Sequence, residues 1–144
     1  MKRLLAPFAL STLAACAVVP APATAPPLPE GSAAMLGRAL TVGDLVVTPV
    51  AIVEDSRCPI NARCVWAGRL VVRTRIDGTA AGERWSDTAD LRLGESFGTH
   101  GRVIALVSGE PGRTTDRPTR PDEYRLTYQA AWNVGTDPGP PLEN

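Results

Sequence analysis

The chain predicts an all-β domain, a single antiparallel β-sandwich or small barrel of six to seven strands. Three observations carry that reading. Apolar and polar residues alternate with period two in three separate segments, the pattern of a strand with one buried face. Two further runs are apolar on both faces. Glycine and proline cluster between the runs, at Asp77-Gly78, Gly94, Gly98, Gly101, Pro111-Gly112, Pro118 and Pro121, which is the punctuation of short strands joined by turns. No stretch of the domain shows convincing helical periodicity.

Residues 36–42 read as a first strand, joined to the next through Gly43-Asp44. Residues 45–53 are apolar on both faces, and Pro49 among them implies an edge position or a bulge, because proline cannot donate to the ladder. In residues 66–76, Leu70, Val72, Thr74 and Ile76 share one face, while Arg69, Val71, Arg73 and Arg75 share the other. In residues 84–93 the apolar face is Trp85, Ala89, Leu91 and Leu93. Asp87 interrupts it, which suggests a turn or bulge there, or an ion pair with Arg84 or Arg92. Residues 103–107 form a short apolar run expected at the centre of a sheet. Residues 123–132 alternate Tyr124, Leu126, Tyr128, Ala130 and Trp132 against polar partners. The connection 109–122 is long and rich in Pro, Arg and Thr; loops of that length are commonly functional or disordered.

The N-terminus supplies a destination. Lys2 and Arg3 precede an uncharged run, residues 4–13, that ends in the small residues Ala14 and Ala15. This is the charged, apolar and small-residue order of a secretory signal. The run is about ten residues, half of what a membrane-spanning helix needs. Leu13-Ala14-Ala15-Cys16 resembles the lipobox of bacterial lipoproteins. The resemblance implies cleavage before Cys16 and lipid on its thiol and new amine. Each buried methylene contributes about 0.8 kcal/mol and a single chain holds only marginally, so several chains on one residue anchor stably. Ala17 stands where an Asp commonly marks inner-membrane retention, so the resemblance implies the periplasmic face of the outer membrane.

The expected organisation is a signal peptide (1–15), a lipidated Cys16 with a Pro/Ala-rich tether (16–32), a β domain (33–134) and a loose tail (135–144). Residues 17–29 carry five prolines and no charge, a composition that favours extended polyproline II. Without residues 1–15 the chain holds 13 basic and 15 acidic residues. No basic stripe marks it for nucleic acid.

Cysteine parity agrees. The chain has three cysteines, Cys16, Cys58 and Cys64, and lipidation of the first leaves an even pair in an oxidising compartment. The spacing of Cys58 and Cys64 suits a structural disulfide between two strands. It is not the C-x-x-C of a redox site. Metal is not expected: His100 is the only histidine, and structural zinc wants four ligands. No cofactor is expected.

The segment from Asp55 to Gly68, DSRCPINARCVWAG, is the most distinctive in the chain. It resembles a signature of small exported bacterial proteins, many of them lipoproteins, in which DSRCP is followed by C-x-W-A-G between two strands. The resemblance implies the β fold and no mechanism. On physical grounds Cys58, Pro59, Cys64, Trp66 and Gly68 suit fixing backbone shape. Trp66 is expected to pack on the sulfur bridge and core, Gly68 to admit a close neighbour, Asp55 and Ser56 to bond local amides, and Arg57 or Arg63 to pair with Asp55 or Glu54. The loop is therefore expected to act as a brace, with any binding surface elsewhere, on the face of Arg69, Arg73 and Arg75 or on residues 109–122.

No catalytic residue is expected. His100 sits in a turn-like FGTHG stretch, and Ser56, Ser86, Ser96 and Ser108 lack the G-x-S-x-G elbow. The Arg face reads either as a solvated, salt-bridged outer face or as a patch for an anionic partner. The sequence thus supports a membrane-anchored envelope lipoprotein with a non-enzymatic structural or binding role toward an envelope protein or polymer. A periplasmic hydrolase inhibitor comes second, and a small envelope hydrolase third.

Overall fold

A computed structural model describes residues 25–131 of the chain. Seven strands follow one another: β1 (Leu40–Val42), β2 (Leu45–Asp55), β3 (Leu70–Ala80), β4 (Glu83–Arg92), β5 (Ser96–Thr99), β6 (Arg102–Glu110) and β7 (Arg125–Ala131), with one 3-10 turn at Pro121–Glu123. They form two antiparallel sheets, β1-β2-β3-β4 and β5-β6-β7. Every neighbour in each sheet is antiparallel. The fold is a small open sandwich and not a closed barrel.

The inner faces are those that period-two alternation assigns, except that Ala130 of β7 is exposed; Trp132 lies outside the described residues. Leu70, Val72, Thr74 and Ile76 of β3 are buried, as are Leu91 of β4 and Leu126 and Tyr128 of β7. Leu40, Val42, Leu45 and Val47 complete one layer, Ile104 and Leu106 the other, and Ala34 and Tyr124 join the same cluster. Thr74 is a polar residue in an apolar row, and a buried hydroxyl is costly without a partner. It meets the Tyr128 hydroxyl of the opposite sheet at 2.9 Å and bonds the Val72 carbonyl at 3.2 Å, so both hydroxyls are satisfied and the layers are linked.

Pro49 marks a bulge, as expected. The β2–β3 register shifts between Pro49 and Ala51 and again between Ile52 and Glu54. Each slip of one residue reverses the side chains, so Val50 and Val53 face outward in a segment that otherwise looks apolar on both sides. The run 103–107 is the centre of β6, the middle strand of its sheet.

Four expectations are corrected. The third strand starts at Leu70 and not at Trp66; Gly68, with a positive φ of 69°, interrupts the extended run before it. β5 reads in sequence as a turn, since Phe97 is its only large apolar residue. Asp87 causes neither a turn nor a bulge, because β3 and β4 pair without interruption through it. Leu28, placed in the tether by composition, is docked on the domain. Its amide donates to Ala39 (2.8 Å), its carbonyl accepts from Thr41 (2.8 Å), and its side chain packs against the core. Cys16, the signal region and residues 135–144 lie outside the described residues.

Candidate functional site

The segment between β2 and β3 is built on Arg57. Its guanidinium donates from Nε to Asp55 Oδ1 (2.8 Å) and from Nη2 to Asp55 Oδ2 (2.8 Å). The same group also donates to the carbonyl oxygens of Gly109 and Pro111 (3.0 Å), at the far end of β6. Asp55 Oδ2 further accepts from the Tyr124 hydroxyl at 2.8 Å. The Asp55 and Arg57 side chains are only 8% and 16% exposed. Two charged groups thus crosslink β2, the end of β6 and the start of β7 inside the fold.

The electrostatics follow from that geometry. Burial pushes the Asp55 carboxyl up, but hydrogen bonds from Arg57 and Tyr124 and the guanidinium charge outweigh it, and the net shift is downward. Its bond to Asp55 holds the Arg57 guanidinium above its ordinary value. Burial, reinforced by the bond to Asp55, pushes the Tyr124 phenol up to about 12. Asp55 is held as the anion, Arg57 as the cation and Tyr124 as a neutral donor.

Above this base the two arms of the loop stay paired. Ser56 and Cys58 donate from their amides to Arg69 (2.8 Å) and Ala67 (2.9 Å). A methyl on Gly68 would lie 1.8 Å from the Ser56 carbonyl oxygen, so only glycine fits. Cys58 and Cys64 are bonded, with Cα atoms 5.8 Å apart. The loop is also zipped to residues 111–118. Ile60 donates to the Arg113 carbonyl (2.8 Å), Arg113 Nη1 donates to the Arg57 carbonyl (2.9 Å), and the Asn61 amide side chain exchanges two bonds with Thr115 (2.9 and 3.0 Å). Between the two loops lies an open depression of about 430 Å³ lined by Pro59, Arg113, Asp116 and Pro118 among others.

The brace is therefore present, and Arg57, expected to pair with Asp55 or Glu54, bonds Asp55 as the internal crosslink; one other part behaves differently. Trp66 does not pack on the disulfide or the core. Ile60, Val65 and Trp66 are 77%, 91% and 81% exposed, within a stretch in which residues 60–69 are all exposed. Trp66 lies four residues before Leu70, where β3 starts, so the inward alternation of that strand does not extend to it. Three large apolar side chains thus project from a loop held by a disulfide, an ion pair and a neighbouring loop.

On the Arg face, which begins at Arg69 at the end of this stretch, each arginine has a carboxylate. Arg69 bonds Glu54 (2.7 Å), Arg73 bonds Asp90 (2.8 Å) and Arg75 bonds Asp77 (2.9 Å), all in exposed pairs worth little individually.

A second cluster escaped the sequence reading. Asp87 of β4 accepts from the Thr99 hydroxyl (2.5 Å) and lies 3.2 Å from His100 Nε2, instead of pairing with Arg84 or Arg92. The His100 ring stacks on Trp85, centroids 4.0 Å apart, with its backbone at φ 46°. Thr99 and His100 both turn to the same carboxylate, so no hydroxyl is set against the imidazole here. The cluster fastens the β5–β6 turn to β4.

No protein-family model matches the chain, and no curated protein or solved structure matches it.

Proposed function

We propose that the chain is a cell-envelope lipoprotein, held to a membrane through lipid on Cys16 at the periplasmic face of the outer membrane, with a non-enzymatic binding role. The observation that carries the binding role is the exposure of Ile60, Val65 and Trp66 on a loop that is fixed from three sides. Preorganisation of this kind lowers the entropy lost on association, and tryptophan is enriched in binding hot spots. A residue kept for stability alone would bury that indole.

The anchor is tested by growth with labelled fatty acid. Label is expected on the unaltered protein and absent from Cys16→Ala; equal label in both overturns it. Binding is tested in the Cys16→Ser background, which lacks the anchor, with Val65→Ser and Trp66→Ser, which are expected to leave the melting temperature unchanged and to weaken association of the protein with isolated envelopes.

The shape of the loop also favours a second reading, inhibition of a hydrolase entering the periplasm. A rigid projecting loop is suited to filling a cleft. Inhibition of a panel of glycosidases and proteases by the unaltered protein and not by Trp66→Ser supports this reading.

A further inference from the structure

We propose that the exposed stretch around the Cys58–Cys64 bridge, in which Ile60, Val65 and Trp66 flank Arg63 in sequence, docks into the interfacial layer of the bilayer that holds the lipid on Cys16. This rests on the anchored, binding role stated above and names the component bound.

Side-chain chemistry comes first. Aliphatic residues and an indole, with an arginine among them in sequence, match the boundary between acyl chains and phosphates. Tryptophan concentrates there because its ring is apolar at one end and a hydrogen-bond donor at the other. Arginine keeps its charge at headgroup level while its stem lies on apolar surface.

Direction comes second. Leu28 bridges Leu40 in parallel, and Leu40 pairs with Val47 in antiparallel β1–β2. The chain entering Leu28 therefore comes from the end of the sandwich toward which β2 runs, the end where Asp55 leads into the disulfide loop. Pro26 and Pro27 keep that approach extended. The tether and the exposed stretch leave the domain toward the same end.

Reach comes third. With its two register shifts, β2 from Val47 to Asp55 lies opposite six steps of β3, about 20 Å at ~3.3 Å per residue. Ala25, three extended residues before Leu28, stands about 9 Å along that path at ~3.1 Å each. Nine further residues separate it from Cys16, a maximum of roughly 30 Å. That covers the remaining distance to the loop, so the lipid and the exposed stretch can lie in one plane.

Size comes last. A stable protein interface takes about 20–30 residues a side, whereas the exposed stretch is residues 60–69. One loop is a small surface for a protein partner alone, and enough for a contact already tethered to its bilayer, where the second contact is intramolecular.

The test uses the full processed protein in vesicles of phosphatidylethanolamine and phosphatidylglycerol carrying lipids brominated along the acyl chain. The Trp66 signal is the difference between the unaltered protein and Trp66→Phe. Quenching by bromine near the interface is expected, with a blue-shifted emission, and Ile60→Ser with Val65→Ser should reduce both. Trp66 emission identical in vesicles and in solution overturns the proposal, and so does a Trp66 shielded only when envelope proteins are added, which assigns the stretch to a protein. Intact mass reports separately whether Cys16 carries lipid. If it does not, partition of the Cys16→Ser chain onto the same vesicles decides the docking: roughly tenfold or greater weakening by Ile60→Ser, Val65→Ser and Trp66→Ser together supports it, and no change overturns it. Exposed positions such as these leave stability nearly unaltered, so the melting temperature is the control for folding.

Discussion

Arg57 grips Asp55, two residues before it, through two hydrogen bonds of 2.8 Å, and turns its remaining donors to carbonyls 52 and 54 residues away in sequence. The pair is the hinge between a local turn and the far end of the other sheet. Removing one partner of a buried pair leaves an uncompensated charge, which costs about 3–5 kcal/mol. Arg57→Ala is expected to lose that much in urea denaturation. Arg57→Lys should recover little, since one ammonium cannot reproduce a planar fork with several fixed donors. The double variant Asp55→Ala with Arg57→Ala should lose less than the sum of the single losses.

The same network sets the pH dependence of stability. The Asp55 carboxyl is lowered in the fold from about 3.9 in an unfolded chain. Its contribution is therefore complete above roughly pH 4 and is lost as pH falls through the lower folded value. Glu123, drawn down to about 2 by Arg117 and by the Arg120 amide, acts in the same window but is solvent-screened and weaker. Tyr124 acts at the other end. Its phenol is raised to about 12, so its contribution is complete below about pH 10 and disappears as pH rises toward 12. Denaturation midpoints across pH should show a shallower acid limb for Asp55→Asn and a shallower alkaline limb for Tyr124→Phe. Unchanged limbs in both variants refute this account.

Two glycines with similar backbone give a sharp contrast. Gly68 has φ 69° with the Ser56 carbonyl 1.8 Å from any added methyl, while Gly82 has φ 83° and nothing within 4 Å. The left-handed conformation alone costs an alanine about 1–2 kcal/mol. Gly82→Ala should lose about that amount. Gly68→Ala should lose clearly more, since the carbonyl it meets belongs to the paired base of the loop and cannot move alone. Equal melting temperatures for the two variants contradict the close approach.

What the sequence makes legible is what repeats or lies close together along the chain. The buried row Leu70, Val72, Thr74 and Ile76 is visible because a strand alternates with period two, and the Cys58–Cys64 bond is visible because the two cysteines stand close together at the junction of two strands. Pro49 announces its bulge through a missing donor. The site was less legible for definite reasons. The acceptors of Arg57 are backbone carbonyls, which carry no residue signature. Asp87 finds Thr99 and His100 across the gap between sheets, a contact that no local pattern encodes. Trp66 lies before the start of β3, and the positive φ of Gly68 interrupts the extended run there, which the alternation running through it does not reveal.

The disulfide gives the last prediction. Linking Cys58 and Cys64 closes a loop of about seven residues, for which the chain-entropy model gives roughly 2–2.5 kcal/mol. Against a typical total of about 5–15 kcal/mol that is a substantial share, yet it is smaller than the loss expected at Arg57. The order follows from the geometry. Without the bridge, the loop remains paired through the Ser56 and Cys58 amides and bonded to Arg113 and Thr115, so its base should survive. Without Arg57, the base itself loses its charge partner. Cys58→Ala with Cys64→Ala is therefore expected to lower stability by ~2 kcal/mol with the far-UV circular dichroism retained. A loss above about 4 kcal/mol would mean that the bonds to residues 111–118 cannot hold the loop alone, and that the disulfide, not Arg57, is what fixes it.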